Sequence, residues 1–320
     1  MSVLKRMNKL PIVSAAALLI LAGVFAAVLI LRKPAEQEEI LESAPEEYVT
    51  VLLEDKGRIV AVSRSDYIVG CLAGLISPKC EREALRAAAA CVSSTAEYYR
   101  TNRSGFSHSG ADFSDKLTGL PYIPINEAKQ LYGDDYEKYI SKLSEAVECA
   151  PTLTYNGEPI YAAVCEISSG CTDNAADVLG DGYPYLVSVP TELDAECKGY
   201  GSVSSFTEQS VYTALYTLCK PTLTADCSSW FSDAHYFDSG TLSSITFGGC
   251  EISGAELRNA LDLRSAAITV EYSEDRFRFY CRGYGDNLGM SLNYANELAL
   301  RGEKAEDILK YFYFGIDEWE

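Results

Sequence analysis

The sequence predicts an α+β fold, and three observations predict it. Apolar and polar residues alternate over residues 48–64 around Asp55-Lys56-Gly57, the pattern of two strands joined by a tight turn. Between 81 and 100 the apolar residues recur instead at three- and four-residue spacings, as on a helix buried along one face. Beyond that point strand-like and helix-like stretches interleave irregularly, which favours α+β over a doubly wound parallel sheet.

At the N-terminus, Leu10–Leu31 carries no charge and, apart from Pro11 and small residues, is aliphatic. That is long enough to cross a bilayer as a helix. Lys5, Arg6 and Lys9 precede it, and Arg32 and Lys33 follow before the acidic run at 36–42. The lysine and arginine bias places the N-terminus in the cytoplasm and residues 34–320 outside, in a single-pass membrane protein. A cleaved signal peptide is the competing reading, but the apolar run exceeds a usual h-region and continues past Ala26 and Ala27. Residues 1–33 are then a cytoplasmic tip and transmembrane helix, and 34–47 (PAEQEEILESAPEE) a solvated acidic linker. The folded part is 48–320.

The net charge of −19 argues against a nucleic-acid partner, which needs clustered Lys and Arg, and against adhesion to anionic headgroups. A solvated surface accounts for it. The eleven cysteines show neither CxxC nor a zinc-ribbon spacing, and their odd number leaves at least one thiol unpaired in a monomer. Cys71, Cys91 and Cys165 lie in apolar stretches where cysteine acts as a small buried hydrophobe.

After the first hairpin, Ser65 or Asp66 can cap a helix running through Ile76. Pro78 interrupts, and a helix follows from about Glu81 to Arg100 with Ala84, Leu85, Ala88, Val92 and Ala96 on its apolar face. A polar loop over 102–119 leads to a helix capped by Asn126 and another from Asp135 to Cys149. Asn156-Gly157 is a hairpin turn between TLTY and PIYAAV. Residues 190–245 match no motif and read as an insertion or a second lobe. The chain ends as a helix over 253–261, a hairpin over 266–281 turning at Ser273-Glu274-Asp275, and helices 290–301 and 303–313 separated by Gly302.

Three stretches carry a resemblance: residues 67–96 (YIVGCLAGLISPKCEREALRAAAACVSSTA), 155–189 (YNGEPIYAAVCEISSGCTDNAADVLGDGYPYLVSV) and 253–314, including SGAELRNALDLRS and RGYGDNLGMSLNYAN. In order, they resemble the SpoIID/LytB domain family, whose sporulation members are membrane-anchored peptidoglycan lytic transglycosylases. The resemblance implies a SpoIID-like two-lobed extracytoplasmic domain behind the membrane helix. It also implies glycan strands of peptidoglycan as ligand and other membrane-bound wall hydrolases as partners. No cofactor is indicated.

A lytic transglycosylase needs one carboxyl group that protonates the glycosidic oxygen and then accepts the proton of the sugar 6-hydroxyl. In the resembling enzymes this Glu stands in a pattern like Y-x-x-G-V-V-x-x-E-M-P, eight residues before the Glu of E-A-L-K-A-Q-A. Here Tyr67, Gly70, Ala73 and Glu83-Ala84-Leu85-Arg86-Ala87 match, and the acid position is Leu75. Leucine can neither give nor take a proton. Ala88 stands where the family has Gln, and Ser93 where it usually has Arg.

The family's zinc site, one His and two Cys, corresponds to His108, Ser114 and Leu120, and hydroxyl and leucine cannot replace thiolates. No metal is therefore expected. The C-terminal pattern G-W-G-H-G-x-G-M-S-Q-Y-G-A reads here from Gly283 to Ala295. Gly283, Gly285, Gly289, Met290 and Ser291 are kept, while Asp286 replaces His and Leu292 replaces Gln. The middle signature, S-S-G-G-x-T and V-W-G-x-x-x-P-Y-L, survives as Ser168-Ser169-Gly170-Cys171-Thr172 and Val178-Leu179-Gly180 with Tyr183-Pro184-Tyr185-Leu186.

Glycan-groove candidates are accordingly Ser168, Ser169, Gly170, Thr172, Tyr185, Gly285, Asp286, Asn287, Met290 and Ser291. The Ser and Thr hydroxyls could bond sugar hydroxyls or close turns onto their own backbone, and the sequence leaves both open. Arg258 and Arg264 are expected to hold their helix and following loop through carboxylate partners. The leading expectation is a SpoIID-like module that has lost glycan cleavage and binds glycan or assembles with partners. Two alternatives stand beside it: a divergent, active transglycosylase with a relocated acid, Asp286 with Asp112 or Glu81, and an amidase enhancer.

Overall fold

The computed structural model describes residues 48–102, 110–148 and 150–317 and is a mixed α and β fold. The expected membrane helix and acidic linker lie outside the described residues, as do His108 and Cys149. Among the described residues, no helix is long and apolar enough to cross a membrane.

Strands β1 (Tyr48–Leu53) and β2 (Arg58–Ser63) pair antiparallel, from Tyr48 opposite Ser63 to Leu53 opposite Arg58. Val49, Val51 and Leu53 alternate into the core, and Gly57 closes the turn at a φ of 58°. β2 runs directly into α1 (Arg64–Leu75), whose cap is Ser63 rather than Ser65 or Asp66: the Ser63 hydroxyl accepts the Asp66 amide at 3.1 Å. The helix α2 (Arg82–Thr101) is buried through most of its length, and its run of alanines lets neighbouring helices approach closely. α1 lies against it, as do three helices that come later in the chain.

The loop after α2 holds β3 (Phe113–Ser114), which adds to β1 in parallel and is too short to register as a periodic pattern. There follow α3 (Asp115–Thr118), α4 (Ile125–Tyr132) and α5 (Tyr136–Val147). Asn126 is not the cap of α4, since the chain enters it from Pro124. The Asn156-Gly157 turn joins β4 (Thr154–Tyr155) to β5 (Glu158–Pro159), with both turn residues at positive φ. Next come β6 (Val164–Cys165) and α6 (Ala175–Val178).

The stretch without motifs contributes β7 (Gly201–Thr207), α7 (Glu208–Leu215), β8 (Phe231–Tyr236) and most of β9 (Leu242–Phe247). With β10 (Cys250–Ser253), β11 (Ile268–Ser273) and β12 (Arg276–Arg282) these strands make two three-stranded sheets, ordered β10-β9-β8 and β11-β12-β7. Between β10 and β11, α8 (Gly254–Ala260) is held by a reciprocal capping box of Ser253 and Glu256. Glu274 and Asp275, both at positive φ, turn β11 into β12. The last elements are β13 (Met290–Ser291), α9 (Leu292–Leu300) and α10 (Ala305–Phe312). The helix expected from 290 starts at 292 because Met290 and Ser291 pair in parallel with Val164 and Cys165.

Buried apolar side chains form two clusters. One surrounds α2 and draws on residues from Val49 to Leu186 and again from Leu288 to Ile316, including the α5, α9 and α10 helices that pack on α2. The other lies wholly within 206–281, around Phe247, Phe277 and Phe279.

Candidate functional site

The middle and C-terminal signatures meet at the β6–β13 pair. Beyond it Ile167 and Tyr284 exchange backbone hydrogen bonds at 3.0 and 2.6 Å. Gly289 makes this approach possible: at its φ of 67°, a Cβ would stand 2.0 Å from the Ala163 carbonyl oxygen.

Asn287, buried at 3% exposure, joins the two signatures. Its Nδ2 donates to the Cys171 carbonyl at 3.0 Å, Asp173 Oδ1 at 2.9 Å and Thr241 Oγ1 at 3.1 Å, while its Oδ1 accepts the Ser169 amide at 2.8 Å. The Asp173 amide in turn donates to the Asn287 carbonyl at 2.7 Å, and Ser239 donates to Asp173 Oδ1. Burial raises the Asp173 carboxyl above its ordinary range, and the bonds from Ser239, Thr241 and Asn287 pull it partly back.

A second buried carboxylate, Asp194, accepts the Ser168 amide at 2.8 Å and Asn293 Nδ2 at 2.9 Å. The Ser168 hydroxyl is paired with Thr191, and the Thr172 hydroxyl accepts the Val189 amide at 2.9 Å. Ser291 caps α9 by accepting the Tyr294 amide at 3.2 Å. The Tyr185 hydroxyl accepts the Tyr161 amide at 3.0 Å. Ser168, Ser169, Thr172, Tyr185, Asn287, Met290 and Ser291 are all buried. Of the two roles the sequence leaves open for the hydroxyls, these contacts supply the framework one.

Gly170 and Gly285 are partly exposed, and Asp286 is fully so, its carboxylate paired with the Arg258 guanidinium. Arg258 also donates from Nε to the Leu263 carbonyl, so it secures the end of α8 as expected. Arg264 instead lies over the Tyr284 ring, 4.2 Å from its centre. Near it stands Glu166, exposed and directly after β6, at a position the quoted motifs do not include. Desolvation raises the Glu166 carboxyl, with Arg264 opposing that rise.

No family model matches the chain. It is 26% identical over 287 residues to stage II sporulation protein D of Bacillus subtilis (strain 168), covering 88% of this chain and 82% of that protein. The chain is a relative of stage II sporulation protein D. The same name belongs to a Bacillus amyloliquefaciens protein 26% identical over 255 residues, covering 79% of this chain and 73% of the relative. The amidase enhancer of Bacillus subtilis (strain 168) is 24% identical over 253 residues, 60% of this chain and 34% of the enhancer.

Against the sporulation protein D pattern, Leu75 closes α1, half-buried and packed on the first core. Around this end of the helix, Tyr132 donates to the Ala73 carbonyl at 3.3 Å and Lys142 to the Cys80 carbonyl at 2.6 Å. Ala88, at the family's Gln position, is fully buried. Ser93, at the family's Arg position, accepts a hydrogen bond at 2.7 Å from Arg64, which supplies a guanidinium from the start of α1.

The metal positions do not fit zinc. Ser114 caps α3, accepting the Leu117 amide at 3.0 Å, and donates to Glu54 at 2.5 Å. Leu120 is buried in the first core, and His108 lies outside the described residues. Of the carboxylates considered as helpers, Asp112 accepts the Thr50 amide and hydroxyl, both at 2.8 Å, and the Glu81 amide donates to Asn296 Oδ1 at 2.8 Å.

One group escapes the sequence altogether. Tyr98 and Tyr99 at the end of α2, Tyr161 before β6 and Tyr183 bring their rings together, all half-exposed, over the buried Tyr185. Three separate segments supply them, so no linear pattern announces the cluster.

Proposed function

We propose that the chain is a membrane-anchored, outward-facing SpoIID/LytB-like cell-wall protein that has lost glycan cleavage and acts as a glycan-binding or assembly module. It serves peptidoglycan remodelling or sporulation. Residues 1–33 are the cytoplasmic tip and membrane helix, 34–47 the linker, and 48–320 the extracytoplasmic domain, whose two lobes correspond to the two apolar clusters.

The observation that carries this reading is Leu75. A general acid contributes about a hundred- to ten-thousand-fold in rate, and a half-buried leucine offers no proton to the glycosidic oxygen and takes none from the 6-hydroxyl. The sporulation role rests on the names of the relatives. Partners are glycan strands and other membrane-bound wall hydrolases. Sedimentation of the full chain, in detergent, with purified sacculi tests it: the chain co-sediments and releases no sugar. Failure to co-sediment, together with no partner on cross-linking, counts against the module.

A divergent active enzyme is the second reading, and Glu166 is the observation that favours it. Its carboxyl, exposed like that of Asp286, is raised by desolvation and stands at the meeting point of the two signatures, whereas Asp286 is paired with Arg258. The amidase enhancer relative supports a third, in which the chain stimulates a wall amidase without cleaving anything itself. An amidase rate unchanged by the added chain removes that one.

A further inference from the structure

Tyr99, Tyr161 and Tyr183 pack against the first core yet, like Tyr98, stay half-exposed. Ring centres lie 5.2 Å apart for Tyr98 and Tyr99, 6.0 Å for Tyr161 to each of them, and 5.9 Å for Tyr161 to Tyr183. Tyr185 lies beneath, its own ring 6.4 Å from Tyr183 and 5.7 Å from Tyr155. The support is rigid: besides the bond from the Tyr161 amide, the Tyr185 carbonyl accepts the Phe314 amide at 2.8 Å. An arrangement that served packing alone would bury these rings, as Tyr185 is buried.

We propose that Tyr98, Tyr99, Tyr161 and Tyr183 form a stacking face for an uncharged chain of N-acetylated hexoses, which gives the glycan-binding reading above a specific surface. A phenol ring presents an apolar face to the C–H groups of a pyranose and a hydroxyl edge to its polar rim. Four rings drawn from three segments, with 22 tyrosines in a chain of 320, match the repeating apolar and polar edges of a sugar chain better than those of a protein helix, for which aliphatic anchors would serve. Charge points the same way. Asp286 is already paired with Arg258, and a chain of net charge −19 has no cationic surplus with which to hold a polyanion.

The test is titration of chitin oligosaccharides into the full chain in detergent, followed by calorimetry, for the unmodified protein and for Tyr161→Ala, Tyr183→Ala and Tyr161→Phe. Each alanine variant is expected to weaken binding by about tenfold, the scale of one lost aromatic anchor, while Tyr161→Phe keeps most of the affinity. Thermal unfolding checks that each variant folds. Alanine variants that fold and bind as the unmodified chain does overturn the stacking face but leave glycan binding standing. Binding of neither oligosaccharide nor sacculi by the unmodified chain overturns both. Where an alanine variant does not fold, nitration of the unmodified chain decides instead: saturating oligosaccharide protects Tyr98 and Tyr99 from modification, and unchanged labelling contradicts the proposal.

Discussion

Asn287 donates to Asp173 across 2.9 Å, and this bond ties the C-terminal signature to the middle one where Thr241, just before β9, also meets the Asn287 amide. Three chain segments far apart in sequence thus share one buried amide. The signatures therefore encode, in large part, the frame of this fold.

Replacing Asn287 with Ala strands the Ser169 amide and takes a partner from the Cys171 carbonyl, the Asp173 carboxylate and the Thr241 hydroxyl. Each buried group left unsatisfied costs about 1–3 kcal/mol, so Asn287→Ala is expected to lower unfolding free energy by about 4 kcal/mol. Chemical denaturation measures it, and a loss within about 0.5 kcal/mol, as for an ordinary surface position, contradicts the frame.

Asp173 makes a pH prediction. Its folded pKa is raised, so its ionisation is easier in the unfolded chain. The carboxyl's contribution to stability is greatest below the unfolded value of about 3.9, falls as pH climbs through the raised folded value, and is level above it. Unfolding free energy of the unmodified chain minus that of Asp173→Asn should therefore decline with rising pH in that window. A difference that grows with pH contradicts the assignment.

Two glycines separate crowding from backbone preference. Gly289→Ala drives a Cβ onto the Ala163 carbonyl, while at Gly57 nothing lies within 4 Å and only positive φ matters. The first is expected to cost more than about 4 kcal/mol or abolish folding, the second about 1 kcal/mol. Equal unfolding midpoints for the two variants would contradict the close approach of β6 and β13.

Arg64 bonds the Ser93 and Thr152 hydroxyls at 2.7 and 2.5 Å. Arg64→Ala is expected to cost about 1–2 kcal/mol, and Arg64→Lys to recover only part, because both bonds leave the outer Nη2 and a lysine ammonium must reach that point on a flexible stem. Full recovery by Lys in thermal unfolding would show that charge alone suffices.

Elements with strong local signals were legible in the sequence: the Gly57 hairpin, α2, the Asn156-Gly157 turn and the helix expected over 253–261 all stand within a residue or two of expectation. Caps were less so, because Ser63 competes with Ser65 and Asp66 and only the path of β2 decides. The two-residue strands β3, β6 and β13 have no period to read. Burial of the Ser and Thr hydroxyls was hidden for a related reason. Thr191, Asp194 and Asn287 come to Ser168 and Ser169 through tertiary contacts at long separation. The tyrosine face was invisible on the same grounds, whereas Leu75, where the resemblance puts an acid, is read from one aligned position.

The most direct test of the account is digestion of denuded peptidoglycan glycan strands by the full chain in detergent, with Leu75→Glu and Glu166→Gln in parallel and products read by mass spectrometry. The account predicts no cleavage product from the unmodified chain, with anhydro-sugar ends, where they occur at all, confined to Leu75→Glu. Anhydro products from the unmodified chain, abolished in Glu166→Gln, would contradict it and establish a relocated acid.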